Sequence, residues 1–292
     1  MILNAADRRF RHIVFWGYPV MMAQIIDRKQ LKADVKELLR NAQVNPKGMT
    51  ALYLLISMAI GMLGSFTGEA AGILGIFVSV FSNLIDMVLG AGFVMYCMAI
   101  RRNERAEYLT LFDGFSFVGK IIGLNLVMYM FIVLWSMLFV IPGIIAGYRY
   151  RFALYNLYEN PGISIMEALD MSKRQTLGYK SQLFLLDLSY VGWVFLASLP
   201  LCIIEGMEAA EYAEAFVAGG AVSVYSAVSL PLAWNLLINV WSLAVALFYL
   251  PNYQCTELGY FETAKQTSGV GFGAGPRQDS WSQQSPDGLG GL

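Results

Sequence analysis

Lysine and arginine are missing from three long stretches of this chain, residues 48–100, 121–148 and 181–264. Each stretch is rich in aliphatic and aromatic residues, and the chain as a whole is 57% hydrophobic and 14% charged. Soluble domains are typically about 45–50% apolar and about 25% charged, so this excess is too large for one buried core. The pattern predicts an all-α membrane protein, a bundle in which each spanning helix needs about 20 residues.

The basic residues between these stretches predict how the chain is threaded through the membrane. Basic loops stay on the cytoplasmic side, so each stretch should cross an even number of times if every basic cluster is cytoplasmic. We therefore expect about six spans with both termini in the cytoplasm. Residues 205–228 carry four glutamates among them and no basic residue, which suits an outer loop. The predicted spans are residues 49–66, 72–99, 118–140, 142–160, 181–204 and 229–250.

The middle stretch leaves alternatives open, because residues 121–148 are too many for one straight span and too few for two. Two spans fit if the second begins at Pro142 and ends at Asn160, since proline is tolerated in the first turn of a helix. A single crossing would place Lys173 outside, against the charge rule. A re-entrant hairpin that never reaches the outer face is the other alternative.

Two segments outside the spans are predicted to form short amphipathic helices, residues 27–42 and 164–177. The second begins with Ser164 and Glu167 at capping-box spacing. We expect both to be cytoplasmic elbows that lie against the membrane surface, with docking of a partner protein as the alternative.

The two ends of the chain differ in composition from the predicted membrane domain, residues 27–262. Residues 1–26 are interpreted as an N-terminal extension, with Met21 or Met22 as the expected true start. Residues 263–292 are rich in Gly, Ser, Gln and Pro and are predicted to be a disordered cytoplasmic tail.

Several motifs together resemble a known family. They are the segments DRKQLKADVKELL (27–39), LFDGF (111–115), WSMLFVIPGIIAGYRYRFALYNLYENPGIS (135–164) and EALDMSKRQTLGYKSQLFLLDLSYVGW (167–193). The chain resembles the bacterial integral membrane family called domain of unknown function 975. More distantly, it is similar to the membrane domains attached to some glycerophosphodiester phosphodiesterases. The resemblance implies a multi-pass protein of the bacterial cytoplasmic membrane and brings no activity and no catalytic residues.

The sequence offers little for catalysis. Nucleophile-elbow, zinc-peptidase and phosphate-loop motifs are absent, and the single histidine, His12, lies outside the predicted spans. We therefore expect no enzymatic activity, no cofactor and no metal site. Membrane lipids are the expected partners, with other membrane proteins as a further possibility and nucleic acid excluded.

Polar side chains inside the predicted spans are the candidate functional residues, because charge is costly in a membrane. Arg151 and Asp187 each lie roughly 10 Å from a cytoplasmic end at 1.5 Å per residue, so they can pair. Arg149 lies deeper and can meet Asp86. The full set of candidates is Asn83, Asp86, Arg149, Arg151, Asn156 and Asp187.

Helical spacing sorts the candidates by face. Asn83 shares a face with Asp86, and Asn156 shares one with Arg149, whereas Arg151 lies on another face, with tyrosines. These groups are expected to hold helices together or, alternatively, to form a polar path or an anion site. The first hypothesis is a non-enzymatic structural or accessory protein that organises partners or lipids. The alternative is a transporter or permease for small solutes or lipids, and a membrane enzyme is the least favoured hypothesis.

Overall fold

The described residues of the computed structural model are almost entirely helical, and they are residues 14–15, 18–19, 23–68, 73–217 and 232–271. A short antiparallel pair joins β1 (Val14–Phe15) to β2 (Tyr18–Pro19). The helices are, in chain order, α1 (Arg28–Arg40), α2 (Pro46–Gly68), α3 (Ile73–Arg101), a 3-10 segment (Tyr108–Phe117), α4 (Val118–Leu138), α5 (Val140–Tyr150), α6 (Ala153–Glu159), α7 (Ile165–Gln175), α8 (Lys180–Leu188), α9 (Val191–Val217) and α10 (Leu232–Ser268). The predicted all-α class is confirmed for these residues.

Side-chain caps begin the two short amphipathic helices. The Asp27 carboxylate accepts hydrogen bonds from the backbone N–H groups of Lys29, at 2.9 Å, and Gln30, at 3.3 Å, and so starts α1. The Ser164 hydroxyl accepts from the Glu167 N–H at 3.2 Å and starts α7. Helices are therefore present where both elbows are predicted, and their position at a membrane surface stays a prediction.

One end of the molecule is closely packed. Its core combines side chains from α1, α3, α8 and the second half of α10, together with Phe152 at the α5–α6 junction. The ring of Phe152 lies 5.4 Å from that of Phe261 in an edge-to-face arrangement, and both side chains are buried. A second, smaller cluster lies between α4 and α7 around Leu124 and Leu169. We call the region that contains these two clusters the packed end.

The other part exposes large apolar side chains in rows along several helices, and we call it the apolar end. The rows lie on the first half of α3, the α4–α5 junction, and the beginnings of α9 and α10. Soluble proteins rarely expose apolar patches of this extent, and a lipid environment explains them. The row members include Ile73, Phe77, Phe81, Met137, Phe139, Ile141, Val194, Phe195, Leu237 and Val240.

Three helical stretches of the described chain are long and apolar enough to cross a membrane: Ile73–Arg101, Tyr108–Leu138 and Leu236–Ser268. A fourth is obtained if Lys180–Leu188 and Val191–Gly206, which are bent by 45° at their junction, count as one span. The apolar helix Pro46–Met62 is shorter. The structure therefore agrees with a membrane protein, but the predicted number of six spans is not confirmed.

The structure departs most from the prediction at residues 142–160. Helix α5 begins after Phe139, whose backbone is extended (φ −159°, ψ 152°), and it has 11 residues. At 1.5 Å per residue this is about 16 Å, short of the roughly 30 Å of a bilayer core. A turn at Arg151 and Phe152 then separates α5 from α6. Two short helices replace the single helix that the sequence predicts.

Side chains of α7 stabilise this break between α5 and α6. The Ser172 hydroxyl accepts a hydrogen bond from the Phe152 N–H at 3.1 Å and donates to the Arg149 carbonyl at 2.9 Å. The Thr176 hydroxyl also reaches the Arg149 carbonyl, at 3.3 Å. Because α7 takes up backbone groups at the junction, the chain can turn there without leaving them unpaired.

Helix α10 is longer than predicted. The expected span ends at residue 250, whereas the helix passes through Pro251 and continues to Ser268, inside the segment predicted to be a disordered tail. Tertiary contacts order this extension: Lys265 Nζ lies 2.6 Å from the Glu159 carboxylate, and the Thr267 hydroxyl lies 2.9 Å from that of Tyr179. The rest of the predicted tail, residues 272–292, and most of the predicted N-terminal extension lie outside the described residues.

We expect the substitution Ser172→Ala to destabilise the protein by about 1–3 kcal/mol, because it leaves the buried Phe152 N–H without its hydrogen-bond partner and the Arg149 carbonyl with the bond from Thr176 alone. The free energy of unfolding can be measured by circular dichroism during titration with a denaturing detergent. Ser198→Ala is the matched control, since within the described residues Ser198 bonds only to the Phe195 carbonyl of its own helix, and it should change stability by less than about 0.5 kcal/mol. Equal effects of the two substitutions would contradict the role given to Ser172.

Candidate functional site: a buried arginine between two carboxylates

The candidate site lies where the α5–α6 break, α8 and α10 meet at the packed end. Arg151 is at the break itself, Asp187 is in the last turn of α8, and Glu257 is on α10. Tyr253 is one helical turn before Glu257, so the two side chains lie on the same face of α10. The turn at Arg151 therefore brings one cation to two elements that are distant in sequence.

The Arg151 guanidinium binds both carboxylates in a bidentate manner. Its Nη1 and Nη2 donate to the two Asp187 oxygens at 2.6 and 2.9 Å. Its Nε and Nη2 donate to the two Glu257 oxygens, each at 2.9 Å. The planar fork of arginine suits this geometry, which a lysine could not reproduce. We call these three side chains, with the tyrosines described next, the Arg151 network.

Tyrosines complete the coordination of the carboxylates. Tyr148 and Tyr253 donate hydrogen bonds to the Asp187 oxygens at 2.7 and 2.9 Å, and Tyr155 donates to Glu257 at 2.7 Å. The Tyr253 hydroxyl also accepts from Arg151. Each guanidinium nitrogen and each carboxylate oxygen therefore has a partner inside the protein, as buried charges require.

The network is well shielded and carries unequal charge. The side chains of Arg151, Asp187 and Glu257 are 16%, 29% and 6% exposed. One positive charge faces two negative charges when all three groups are ionised. The tyrosine hydroxyls stabilise the excess negative charge, since each donates a charge-assisted hydrogen bond.

Further ion pairs fasten α10 to the packed end. Arg101 at the end of α3 binds Glu262 through Nε at 3.0 Å and Nη2 at 2.5 Å. Glu159 at the end of α6 bonds to Arg102 and lies 2.6 Å from Lys265, and its side chain is only 7% exposed. These contacts continue the polar packing along α10 beyond the Arg151 network.

The structure brings together one of the two predicted pairs. Arg151 and Asp187 are in contact as predicted. The predicted contact of Arg149 with Asp86 is wrong: the Asp86 carboxylate instead accepts a hydrogen bond from Ser57 on α2. The reason is the packing of the helices, because α3 packs on α2, whereas α5 packs on α4, α7 and α8.

The two predicted asparagines take structural positions. Asn83 is exposed and donates to the Ser79 carbonyl of its own helix at 2.7 Å. Asn156 is fully buried, and its amide exchanges two hydrogen bonds with the amide of Gln175, at 2.7 and 2.8 Å. That pair joins α6 to α7, so neither asparagine belongs to the Arg151 network.

Sequence reasoning missed Glu257 and Tyr253, because both follow the predicted end of the last span. A usable signal is present in the sequence, since Tyr253 and Glu257 follow soon after Pro251 and are one helical turn apart.

In the part of the chain that the structure describes, no group of three or more His, Cys, Asp or Glu side chains could hold a metal ion.

We expect a double-mutant cycle to measure the strength of the network. Arg151→Met leaves two carboxylates without their cation and should cost about 3–5 kcal/mol of stability. Glu257→Met should also be destabilising, but the double variant should cost less than the sum of the two, because it removes one of the two carboxylates that Arg151→Met alone leaves without a cation. Detergent-induced unfolding gives each value.

The control for this cycle is Arg105→Met, since Arg105 is exposed and should tolerate the change within about 0.5 kcal/mol. Strict additivity of Arg151→Met and Glu257→Met would contradict a direct interaction between the two side chains.

Comparison with known proteins places part of the chain in a family. Residues 137–268 match the family model described as "Protein of unknown function (DUF975)", and this segment contains every residue of the Arg151 network. No curated protein and no solved structure matches the chain. The distant similarity to membrane domains of glycerophosphodiester phosphodiesterases thus stays a prediction. The predicted resemblance to the DUF975 family of proteins of unknown function is thus confirmed over residues 137–268.

Proposed function

We propose that this protein is a multi-pass protein of the bacterial cytoplasmic membrane that acts as a structural or accessory component and performs no catalysis. In this role it organises membrane lipids or partner proteins. The observation that carries the proposal is the complete pairing of the Arg151 network, in which every polar atom of Arg151, Asp187 and Glu257 is bound within the protein. A network closed in this way favours a structural role over binding of a substrate.

The division of the molecule into two ends supports the same role. The apolar end offers rows of exposed side chains to lipid, and the packed end is held by ion pairs and aromatic contacts. Since apolar helices gain little by associating in lipid, a polar cluster at one end is an efficient way to fix their arrangement. The packed end can then present a stable surface to other molecules.

The proposal includes six crossings and two cytoplasmic termini. It is supported by the three stretches without basic residues and by the position of the packed end, where Arg101, Arg102 and Arg151 are all found. By the charge rule this end faces the cytoplasm. Under this arrangement α5 and α6 together make the fourth crossing.

One observation favours the alternative of a transporter. The Arg151 network holds two carboxylates and a single arginine, so one negative charge has no cationic partner within it. A proton or small cation could neutralise that charge during a transport cycle, as intramembrane carboxylates do in pumps and transporters.

An ion-flux measurement separates the two functions. In proteoliposomes that contain a pH-sensitive dye and carry an imposed membrane potential, we expect proton influx at the rate of empty vesicles. Influx that depends on the protein and is lost in Glu257→Gln would overturn the accessory role and support transport. Asp113→Asn is the control for a carboxylate outside the network.

Cysteine labelling tests the number of crossings. Lys173→Cys should react with a membrane-impermeant thiol reagent only after cells are opened, because six crossings place it inside. Glu208→Cys should react in intact cells, because it lies in residues 205–228, the segment predicted to be outside, of which the structure places residues 205–217 in helix α9 and not in a loop. The parent protein, with its three native cysteines, supplies the background for both. Labelling of Lys173→Cys in intact cells would exclude this topology.

A further inference from the structure

The structure contains a cleft away from the Arg151 network, and its lining is basic and aromatic. It has a volume of about 1020 Å³ and lies between α1, the beginning of α2, the beginning of α9 and the middle of α10. Its basic residues are Lys32, Lys36, Arg40 and Lys47. None of the described residues that line it is an aspartate or a glutamate. We call it the α1 cleft.

Three of these basic residues form a stripe along one face of α1. Lys32, Lys36 and Arg40 follow one another at intervals of four residues, which places them on neighbouring turns. The acidic residues Asp34 and Glu37 lie on the opposite side, where they line a separate cleft. The helix thus turns its positive face to the α1 cleft and its negative face away from it.

Like charges one turn apart destabilise a helix slightly, and an anion bound beside the stripe would offset this repulsion. Within the described part of the chain, Lys36 and Arg40 are exposed and have no ion-pair partner. Lys32 bonds to the Ser189 hydroxyl at 2.7 Å and lies 3.7 Å above the Tyr190 ring. Burial, and then the neighbouring Arg28, lower the pKa of the Lys32 ammonium, and an anion in the cleft would offset both effects.

The wall opposite α1 is aromatic and partly exposed. Trp193 stacks on Tyr249 with ring centroids 6.3 Å apart, and the exposed fractions of Trp193 and Phe248 are 41% and 61%. Lys47 Nζ lies 4.8 Å from the Phe248 ring centroid, at the point where the first apolar helix begins. Aromatic rings next to lysines at the end of apolar helices are typical of the membrane–water interface.

We propose that the α1 cleft binds the headgroup of an anionic glycerophospholipid, with its phosphate among Lys36, Arg40 and Lys47 and its acyl chains along Trp193 and Phe248. Charge complementarity supports an anion, and arginine suits phosphate in particular. The apolar wall supports a lipid over a free phosphate ion, because an inorganic ion would leave the exposed apolar surface of Trp193 and Phe248 uncovered. This inference rests on the proposed membrane function and names the lipid class that the protein organises.

Titration of the purified full-length protein with short-chain phosphatidylglycerol, monitored by native mass spectrometry, tests the proposal. Phosphatidylcholine with the same chains and inorganic phosphate are the comparison ligands. We expect phosphatidylglycerol to bind more tightly than both. The double variant Lys36→Gln/Arg40→Gln should weaken its binding about 25-fold, at roughly fivefold for each charge removed near a lipid surface.

The matched control is Lys29→Gln/Arg105→Gln, which removes the same charge from two exposed residues outside the cleft and should change binding less than about twofold. Equal losses in the two double variants would overturn the proposal in favour of diffuse surface attraction. Displacement of the lipid by inorganic phosphate at equal concentration would overturn it in favour of a phosphate site, and equal binding of the two lipids would also overturn it.

The outcome for the α1 cleft is distinguishable from that for the proposed function. If the protein inserts into vesicles with the expected cysteine labelling but shows no preference for phosphatidylglycerol, the cleft proposal alone fails. If the labelling or the flux result contradicts the accessory role, the proposed function fails independently of any lipid preference.

Discussion

The Arg151 guanidinium is the contact on which the arrangement of this protein depends. It joins the α5–α6 break, which follows the second apolar stretch, to Asp187 on α8 and Glu257 on α10, which both lie in the third stretch. Burying one charge is costly, so such a group is stable only when its partners are complete. Here both carboxylates bind it in a bidentate manner, and tyrosines occupy the remaining oxygen positions. Because an incomplete network is worse than an apolar core, these side chains specify one packing of the helices.

The break after α5 makes this contact possible and shows how the two ends of the molecule depend on each other. The turn at Arg151 and Phe152 ends α5 and places Arg151 against α8 and α10. Hydroxyl groups of α7 take up backbone groups at this junction, and Phe152 is buried against Phe261. The packed end therefore combines short helices with the second halves of α3 and α10, whereas the first halves of these two long helices extend into the apolar end.

The distribution of charge in the sequence predicts much of this fold. The first stretch without basic residues corresponds to α2 and α3, and the rise per residue places Arg151 and Asp187 at a depth where they can pair. Depth along a helix does not determine which helix it packs against, which is why Asp86 on α3 pairs with Ser57 on α2 and not with Arg149 on α5. The end of an apolar run does not determine the end of a helix either. Helix α10 continues past Pro251 because its second half packs against protein, and Glu257 and Tyr253 lie in that half.

The Arg151 network and the α1 cleft share a wall. Tyr190 lines the cleft beneath Lys32, and its ring lies 5.1 Å from that of Tyr253, which bonds to Asp187. The Tyr190 hydroxyl also donates to the Asn252 side chain at 2.5 Å. A lipid headgroup in the cleft would thus contact the outer side of the same aromatic layer whose inner side binds the buried charges. Tyr190 and Tyr253 therefore form one aromatic layer whose packing supports both the lining of the cleft and the position of Asp187 in the network.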